Sequence, residues 1–360
     1  MVSTFRSCTA PMSTTRPFSV RPATLFASTA LLLTCLGSAY AADATLYGQI
    51  DLSSNYQHGD DDVSVHSVES GRMSHSFWGL RSGEDLGGGL RLSLQLEAYF
   101  RASTGQLGRS DTDALFSRSS LIAIGTPGLG QLSMGRQSTP LFANTTRFNP
   151  FADSGGFSPS MRHYFGGAAN RSVFGDSRWD NSISYATPVF NGFWGGFSSQ
   201  LLVSLPEGDA NGGKIGANLM YMRGAFAMGF ASQKVKANLI PGDEQSTWQL
   251  GGAYDIGRAR AYAQYGQIHH AAADSTAHIS SIGASLPLTR GRVLVAWGRS
   301  STSYPLTRTG NAPVIQQDTF SLGNDVEVSK RTDIYVVFTY DRIDGLSATK
   351  SYSAGIRHQF

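Results

Sequence analysis

The stretch LRLSLQLEAYF (residues 90–100) has an apolar residue at every even position, and Arg91, Ser93, Gln95, Glu97 and Tyr99 at the odd ones. Because successive side chains of a β-strand point to opposite faces, this period of two predicts a strand with one apolar face. In a soluble sandwich the apolar face would cover a core. In a membrane barrel it would contact lipid, and Arg91, Gln95 and Glu97 would face a water-filled interior.

The same alternation recurs along the chain, for example in LYGQIDL (46–52) and DIYVVFTYD (333–341), and the connections between such segments alternate in length. Short turns fall at 83–89, 125–130, 187–193, 223–225, 255–258, 288–291 and 328–331. Longer polar connections fall at 57–69, 102–112, 139–176, 205–211, 237–244, 270–275, 302–314 and 343–348. Short turns at one end and long loops at the other are typical of outer-membrane barrels, whereas a sandwich needs no such regularity. We therefore predict an all-β, 16-stranded antiparallel transmembrane β-barrel.

The N-terminal residues 1–41 predict an export signal. A start with three arginines and no acid is followed by a short apolar run, ATLFASTALLLTCLG (23–37), and by the small residues AYA (39–41). A lipid anchor at Cys35 is a weaker alternative, because Thr34 is larger than the residue usually found before such a cysteine. Cleavage would leave one barrel domain, residues 42–360.

Removal of the signal changes the chemistry open to the mature chain. Both cysteines, Cys8 and Cys35, leave with it, so neither disulfides nor thiolate metal sites are expected. The formal net charge falls from +3 to zero, which removes the argument for nucleic-acid binding from overall charge. We find no cofactor or metal-binding motif.

The C-terminal segment SYSAGIRHQF (351–360) also alternates and ends on an aromatic residue, Phe360. Such an end resembles those of outer-membrane barrels, which their assembly machinery recognises. Aromatic residues near strand ends are expected to form outward-facing girdles at the membrane interfaces. These residues are Trp179, Tyr185, Phe338, Tyr340, Tyr352 and Phe360.

Several motifs together resemble the trimeric general porins of β-proteobacterial type. The matching pieces are TLYGQID (45–51), WGLRSGEDLGGGL (78–90), LFSRSSLIAIG (115–125), GRQSTPL (135–141), RWDNSISYATPVFNGF (178–193) and GIRHQF (355–360). They cover both ends and the first half of the mature chain in order. Residues 200–340 match mainly in pattern.

The resemblance implies a water-filled barrel, three per assembly, whose third outer loop folds inward and narrows the pore. That loop would be residues 139–176, with NPFADSGGF (149–157) as its tip and Asp153 as the acid of the constriction. Arg118 and Arg178 would stand opposite. Arg136 also matches the family pattern, but its parity groups it with Leu132 and Met134, so its part in the constriction is left open.

One position departs from the family pattern. Phe77 precedes WGLR where family members often carry arginine, so an inward Phe77 would narrow the pore and remove a cation. The loop supplies Arg147, Arg162 and Arg171 against Asp153 and Asp176, which with the two strand arginines predicts a mild preference for anions. Alternatively, Arg162 and Arg171 are solvated at the outer mouth or bind lipopolysaccharide.

The expected function is passive diffusion of small hydrophilic solutes and ions through a homotrimer embedded in outer-membrane lipid and lipopolysaccharide. A substrate-specific channel with an aromatic track through Phe77, Tyr164 and Phe165, and a barrel-anchored adhesin or surface antigen, remain alternatives. An enzyme is not expected. His278 and Ser280 share a strand face, as in some barrel lipases, but the Asn-Gly that follows the serine in those lipases is missing.

Overall fold

The computed structural model describes residues 44–59, 63–167, 172–193, 195–206, 212–236, 243–305 and 313–360. The predicted export signal and Arg171 lie outside these described residues. None of the helices in the described part of the chain has the length and apolar character needed to cross a membrane.

Sixteen long strands form the wall within the described residues. They are β1 (Thr45–Gly59), β3 (Phe77–Asp85), β4 (Arg91–Arg101), β6 (Ser119–Thr126), β7 (Gly130–Ser138), β8 (Arg178–Ala186), β10 (Gly195–Ser204), β11 (Lys214–Arg223), β12 (Phe226–Lys236), β13 (Glu244–Asp255), β14 (Arg260–His270), β15 (Ser275–Leu288), β16 (Gly291–Ser303), β17 (Val314–Ser329), β18 (Thr332–Ile343) and β19 (Thr349–Gln359). Three short strands, β2 (Ser64–Ser70), β5 (Gln106–Leu107) and β9 (Phe190–Gly192), and two helices, α1 (Pro140–Arg147) and α2 (Pro159–Phe165), lie in the connections.

Pairing of the first strand with the last closes the barrel. Each long strand pairs antiparallel with the next, and β1 pairs with β19 from Gln49 opposite Gln359 to Gly59 opposite Thr349. Beyond this ladder, Gly48 and Phe360 exchange two backbone hydrogen bonds of 3.1 Å. Closure leaves no open edge in the wall, which confirms the predicted 16-stranded antiparallel barrel.

Within the described residues, the predicted turns and loops fall between the long strands, with one difference in the first long connection. The polar segment 57–69 is largely strand, because β1 runs to Gly59 and β2 pairs with it from Ser70 opposite Leu52 to Ser64 opposite His58. Polarity alone did not mark a loop here, since a hairpin satisfies the backbone groups of polar residues as well as those of apolar ones.

The two faces of the strands differ as the alternation predicted. On β4, Leu94 is 43% exposed on the outer surface, whereas Glu97 on the inner face is 3% exposed. Nearly every other long strand contributes an exposed apolar residue to the same outer belt. Examples are Leu46, Leu80, Ile122, Leu132, Ile183, Leu201, Leu219, Phe230, Leu250, Ile282, Leu322, Val336 and Ile356.

Trp179 corrects the predicted aromatic girdle. Gly135 lies opposite Ser182 but Gln137 lies opposite Trp179, so β8 carries one extra residue, and Asn181 beside this bulge has φ +48°. A bulge reverses the parity of the residues beyond it. Trp179 is therefore buried with Leu202 and Val235 instead of facing outward.

The described residues of the segment 139–176 pack against the polar face of the wall. Helix α1 follows Thr139, which caps it by accepting a hydrogen bond from Phe142 N. From α1, Asn144 Nδ2 donates to Gln249 Oε1 of β13 at 2.7 Å. From α2, the hydroxyls of Ser160 and Ser281 of β15 lie 2.7 Å apart. Polar residues of the wall thus hold both helices.

A row of glycines lets this segment approach the wall closely. A Cβ atom at any of them would press against a side chain of the segment, so larger residues would push the segment away from the wall. The pairs are Gly229 with Asn144, Gly251 with Phe148, Gly266 with Tyr164, Gly283 with Pro150, Gly298 with Pro159 and Gly323 with Phe151. One glycine on each of β12 to β17 contributes, and together they form the glycine groove.

Candidate functional site

A cavity of about 1080 Å³ lies between the segment 139–176 and the inner face of strands β3 to β8. Its charged lining residues are five arginines and two carboxylates: Arg81, Arg91, Arg118, Arg147, Arg178, Glu97 and Asp153. The described lining thus carries three more positive than negative charges. Four of the six residues predicted for the constriction, Arg118, Arg178, Asp153 and Arg147, meet in this one cavity.

Arg118, just before β6, is held by a ring and a carboxylate. Its guanidinium carbon lies 3.8 Å from the ring centroid of Phe77, and it forms an ion pair with Glu97 of β4. The other Glu97 oxygen accepts a hydrogen bond of 2.6 Å from the Tyr47 hydroxyl. Because Phe77 lies opposite Gln49 and Tyr99 on the inner face, it supports Arg118 by a cation–π contact.

Arg178, the first residue of β8, lies between two rings. Its guanidinium carbon is 5.2 Å from the Tyr99 ring centroid and 4.9 Å from that of Phe142 in α1. The side chain donates to Ser177 Oγ at 3.2 Å, and no carboxylate of the described residues forms an ion pair with it. Its charge therefore lacks an ion-pair partner among the described residues.

Rings and guanidinium groups alternate from the wall to helix α1. Arg118 also lies 5.8 Å from the Tyr99 ring, so the order is Phe77, Arg118, Tyr99, Arg178 and Phe142. We call these five residues the arginine–aromatic stack. Aromatic faces attract cations, so the rings hold the two arginines without cancelling their charge.

The tip of the segment is held by the residues that precede β3. Asp153 Oδ1 accepts a hydrogen bond of 3.0 Å from Ser74 Oγ. Ser154 Oγ and Gly156 N both donate to the carbonyl oxygen of Arg72, at 2.7 and 3.1 Å. The acid of the predicted constriction thus has a fixed position.

Arg147, the last residue of α1, also lines the cavity and has no carboxylate partner among the described residues.

Arg136 does not join this group. Its Nε donates to the carbonyl oxygen of Ser117 at 2.6 Å, and its Nη1 donates to Asp180 at 2.6 Å. The next residue, Gln137, lines the cavity, so Arg136 points to the other face of β7. The position of Arg136 agrees with its parity, which groups it with Leu132 and Met134, and not with the family pattern, which places it in the constriction.

Two further charged residues of the segment are neutralised locally. Arg162 forms an ion pair of 2.9 Å with Asp341 of β18, and Asp176 forms one of 2.7 Å with Arg109. Partial burial disfavours the charged carboxylate of Asp176, but hydrogen bonds and the charge of Arg109 outweigh burial and hold its pKa well below the usual range. These residues add little to the uncompensated charge predicted from the sequence.

Sequence reasoning did not assign Arg81, Tyr99 and Phe142 to the site. Arg81 lies opposite Gln95, and parity with Phe77 would have placed it on the inner face. Phe142 has no such signal, because its position depends on how the segment folds back onto the wall. Among the described residues, no group of three histidine, cysteine, aspartate or glutamate side chains could hold a metal ion.

Comparison with known proteins gives a consistent family and fold. A family model described as Gram-negative porin matches residues 27–346. An outer membrane porin of Bordetella pertussis is 27% identical over 92% of this chain and 98% of its own length. Outer membrane porin protein 32 of Delftia acidovorans is 28% identical over 64% of this chain and 65% of its own length.

Solved structures share the barrel. The anion-selective porin from Comamonas acidovorans superposes with a TM-score of 0.72 at 22% identity, over 89% of this chain and all of that one. The trimer form of OmpT from Vibrio cholerae gives a TM-score of 0.63 at 16% identity, over 89% of this chain and all of that one.

Proposed function

The chain belongs to the Gram-negative porin family of outer-membrane β-barrels, and on this basis we propose that it is a general diffusion channel with a mild preference for anions. Small hydrophilic solutes and ions would cross it down their concentration gradients. The positive lining of the large cavity is the observation that carries the anion preference, because five arginines face two carboxylates there. The Comamonas porin of the same fold is described as anion-selective.

We further propose that the segment 139–176 is the inward-folded outer loop that narrows the pore. Its contacts with inner-face residues of β13 and β15, and its fit into the glycine groove, support this role. The loop excludes large solutes by size. Small solutes pass between Asp153 and Arg147 on the loop and Arg118 and Arg178 on the wall, where opposed charges orient dipoles.

Liposome swelling tests the diffusion function. Vesicles that contain the purified protein should swell in monosaccharides faster than in disaccharides and trisaccharides, because the loop sieves by size. The swelling rate should rise linearly with solute concentration. Folded protein that gives no swelling would refute the channel and favour a barrel that anchors a surface adhesin.

We propose that three copies assemble in outer-membrane lipid and lipopolysaccharide. The OmpT barrel of Vibrio cholerae, which has the same fold, is described in a trimer form. Light scattering of the detergent-solubilised barrel should give three times the mass of one chain. A monomer mass would contradict the assembly while leaving the pore of each copy intact.

The C-terminal Phe360 is proposed as the residue that the barrel assembly machinery recognises. Its ring also packs on Gly48, where a Cβ atom would lie 2.7 Å from it. Replacement Phe360→Ala should lower the amount of folded barrel in cells. If the assembly machinery recognises Phe360, the variant should lose much less folded barrel when it refolds from urea in detergent than it does in cells. Equal losses in the two experiments would show that packing alone explains the effect.

The N-terminal residues 1–41 are proposed to be cleaved during export. Mass spectrometry of the protein isolated from outer membranes should find a chain that begins at Ala42. A lipid-modified N-terminus at Cys35 would contradict cleavage at this site.

A further inference from the structure

We propose that the arginine–aromatic stack contains a binding site for single-ring aromatic carboxylates, beside the diffusion path. This inference rests on the proposed channel function, because the ligand reaches the site from the pore. It adds a substrate class to that function: aromatic acids are retained briefly at the wall, whereas other small solutes pass without binding.

The site is a second cavity of about 230 Å³ that adjoins the large one. The two cavities share Phe142, Asp153 and Arg178 in their linings. Rings line much of the smaller cavity, namely those of His75, Tyr99, Phe142 and Phe165. Its volume corresponds to roughly eight waters at liquid density, enough for one aromatic ring with a carboxylate.

Arg178 supplies the charge that a carboxylate would meet. Arg109 also lines the small cavity, but it is paired with Asp113 and Asp176. Arg178 is 5% exposed, has no ion-pair partner among the described residues, and its buried Nε has no hydrogen-bond acceptor there. Burial of a guanidinium without an anion is costly, so an arriving carboxylate gains a charge-assisted hydrogen bond.

The rings select for an aromatic acid over other anions. Tyr99 and Phe142 flank the guanidinium of Arg178 at 5.2 and 4.9 Å, so a planar ligand can pair with the cation while its ring contacts theirs. Contacts between aromatic rings add to affinity beyond the burial of apolar area. Chloride, acetate or inorganic phosphate would gain the charge interaction but not the contact between rings.

Asp153 limits the ligand to a single carboxylate. It lines the same cavity, where Ser74 donates a hydrogen bond to it. Like charges repel at short range, so a second carboxylate on the ligand would meet Asp153 unfavourably. The site therefore suits a monocarboxylate whose uncharged ring edge lies toward the loop tip.

The test measures block of chloride current through single channels by three compounds of similar size. Benzoate should reduce the current in a saturable manner. Cyclohexanecarboxylate, which has the charge but no aromatic ring, should need roughly three- to ten-fold higher concentration for half-block. Benzamide, which has the ring but no charge, should give no saturable block.

Variants separate the parts of the site. Arg178→Gln should abolish saturable block by benzoate. Phe142→Leu keeps the charge and most of the apolar volume, and it should bring the half-blocking concentrations of benzoate and cyclohexanecarboxylate together. Arg91→Gln removes another arginine of the large cavity that has no carboxylate partner in the described parts of the chain, so it should lower anion preference while the ratio between the two acids stays the same.

Two results would overturn the inference in distinguishable ways. Open channels on which benzoate and cyclohexanecarboxylate act alike would refute the aromatic site and leave the diffusion function standing. Failure of folded wild-type protein to form channels would refute the diffusion function and the inference with it. The comparison of the two acids on wild-type protein decides the matter even where Arg178→Gln does not fold.

Discussion

Arg118 and Arg178 show that the partner of an arginine decides what it contributes to a pore. Arg118 shares its charge with Glu97, whereas Arg178 is held by rings and stays uncompensated. The sequence predicted that both would line the interior, but not this difference. The register of β4 with β6 brings Glu97 to Arg118. The fold of the segment 139–176 brings Phe142 to Arg178.

Replacement Arg147→Gln should lower the anion preference of the channel. Arg147 lines the large cavity without a carboxylate partner among the described residues, so its loss removes a full charge from the path. In water, a unit positive charge about 6 Å from a passing ion stabilises an anion and destabilises a cation by ~0.7 kcal/mol each, so its loss should lower the anion-to-cation permeability ratio by up to roughly ten-fold. The reversal potential under a salt gradient measures this ratio.

Arg136→Gln is the matched control for Arg147→Gln. Arg136 has the same charge but is paired with Asp180 on the other face of β7. Its replacement should leave the reversal potential unchanged. We assign Arg147 to the pore and Arg136 to the other face of the wall. Equal shifts of the reversal potential for the two variants would contradict this assignment.

Asp176 should make one link between the outer connections sensitive to acid. The hydrogen bonds and charge of Arg109 keep the pKa of this carboxyl below the ordinary value of 3.8 despite its burial. A depressed pKa in the folded state means that the link is fully formed above about pH 4 and weakens as pH falls through the folded value. Asp176→Asn should therefore lower Tm at neutral pH.

The pH dependence distinguishes this link from a general effect of the substitution. The Tm difference between wild type and Asp176→Asn should stay constant from pH 8 to 5 and shrink below about pH 4. Asp180→Asn, which removes a more exposed partner of Arg136, should change Tm little at any pH. A Tm difference for Asp176→Asn that does not depend on pH would argue against the ion pair as its cause.

At the scale of elements, the glycine groove explains how the segment 139–176 can pack closely against the wall. Glycines on six consecutive strands leave room for Phe148, Pro150, Phe151 and other side chains of the segment. The sequence contains this signal, because each glycine falls on the inner face by parity. It could not be recognised from one strand, since the row becomes continuous only when the strand register is known.

Gly251→Val should lower single-channel conductance. A Cβ at Gly251 would overlap the Phe148 ring, and the free space into which the segment can move is the large cavity. Overpacking of this kind costs about 1–3 kcal/mol, which the closed barrel should tolerate. Conductance in planar bilayers and heat-modified electrophoretic mobility report the pore and the fold separately.

Gly252→Val provides the control on the neighbouring residue. A Cβ there has as its nearest neighbour the Ala227 carbonyl oxygen at 3.8 Å, so valine fits on the outer face. Its conductance should equal that of wild type. A wild-type conductance for Gly251→Val as well would show that the segment does not depend on the groove for its position.

Trp179 marks the limit of prediction at this scale. Strict alternation placed it on the outer face, but the bulge opposite Gly135 reverses the parity of β8 at this point. A bulge depends on pairing between two strands, so the sequence of one strand does not reveal it.

For the whole molecule, the alternation of short and long connections was the strongest signal. It predicted sixteen strands in a closed barrel. The pairing of β1 with β19 provides this closure. Closure follows from physics as much as from family, because backbone groups of an open edge would lack partners in lipid. The path of the longest connection was predicted from the family resemblance and not from any period in the chain.

The reversal potential of single channels under a salt gradient tests the proposed pore most directly. The net positive lining of the large cavity predicts stepwise openings whose reversal potential has the sign of a moderate preference for chloride over potassium. A preference for potassium would contradict the role given to the unpaired arginines, and folded protein without openings would contradict the channel itself.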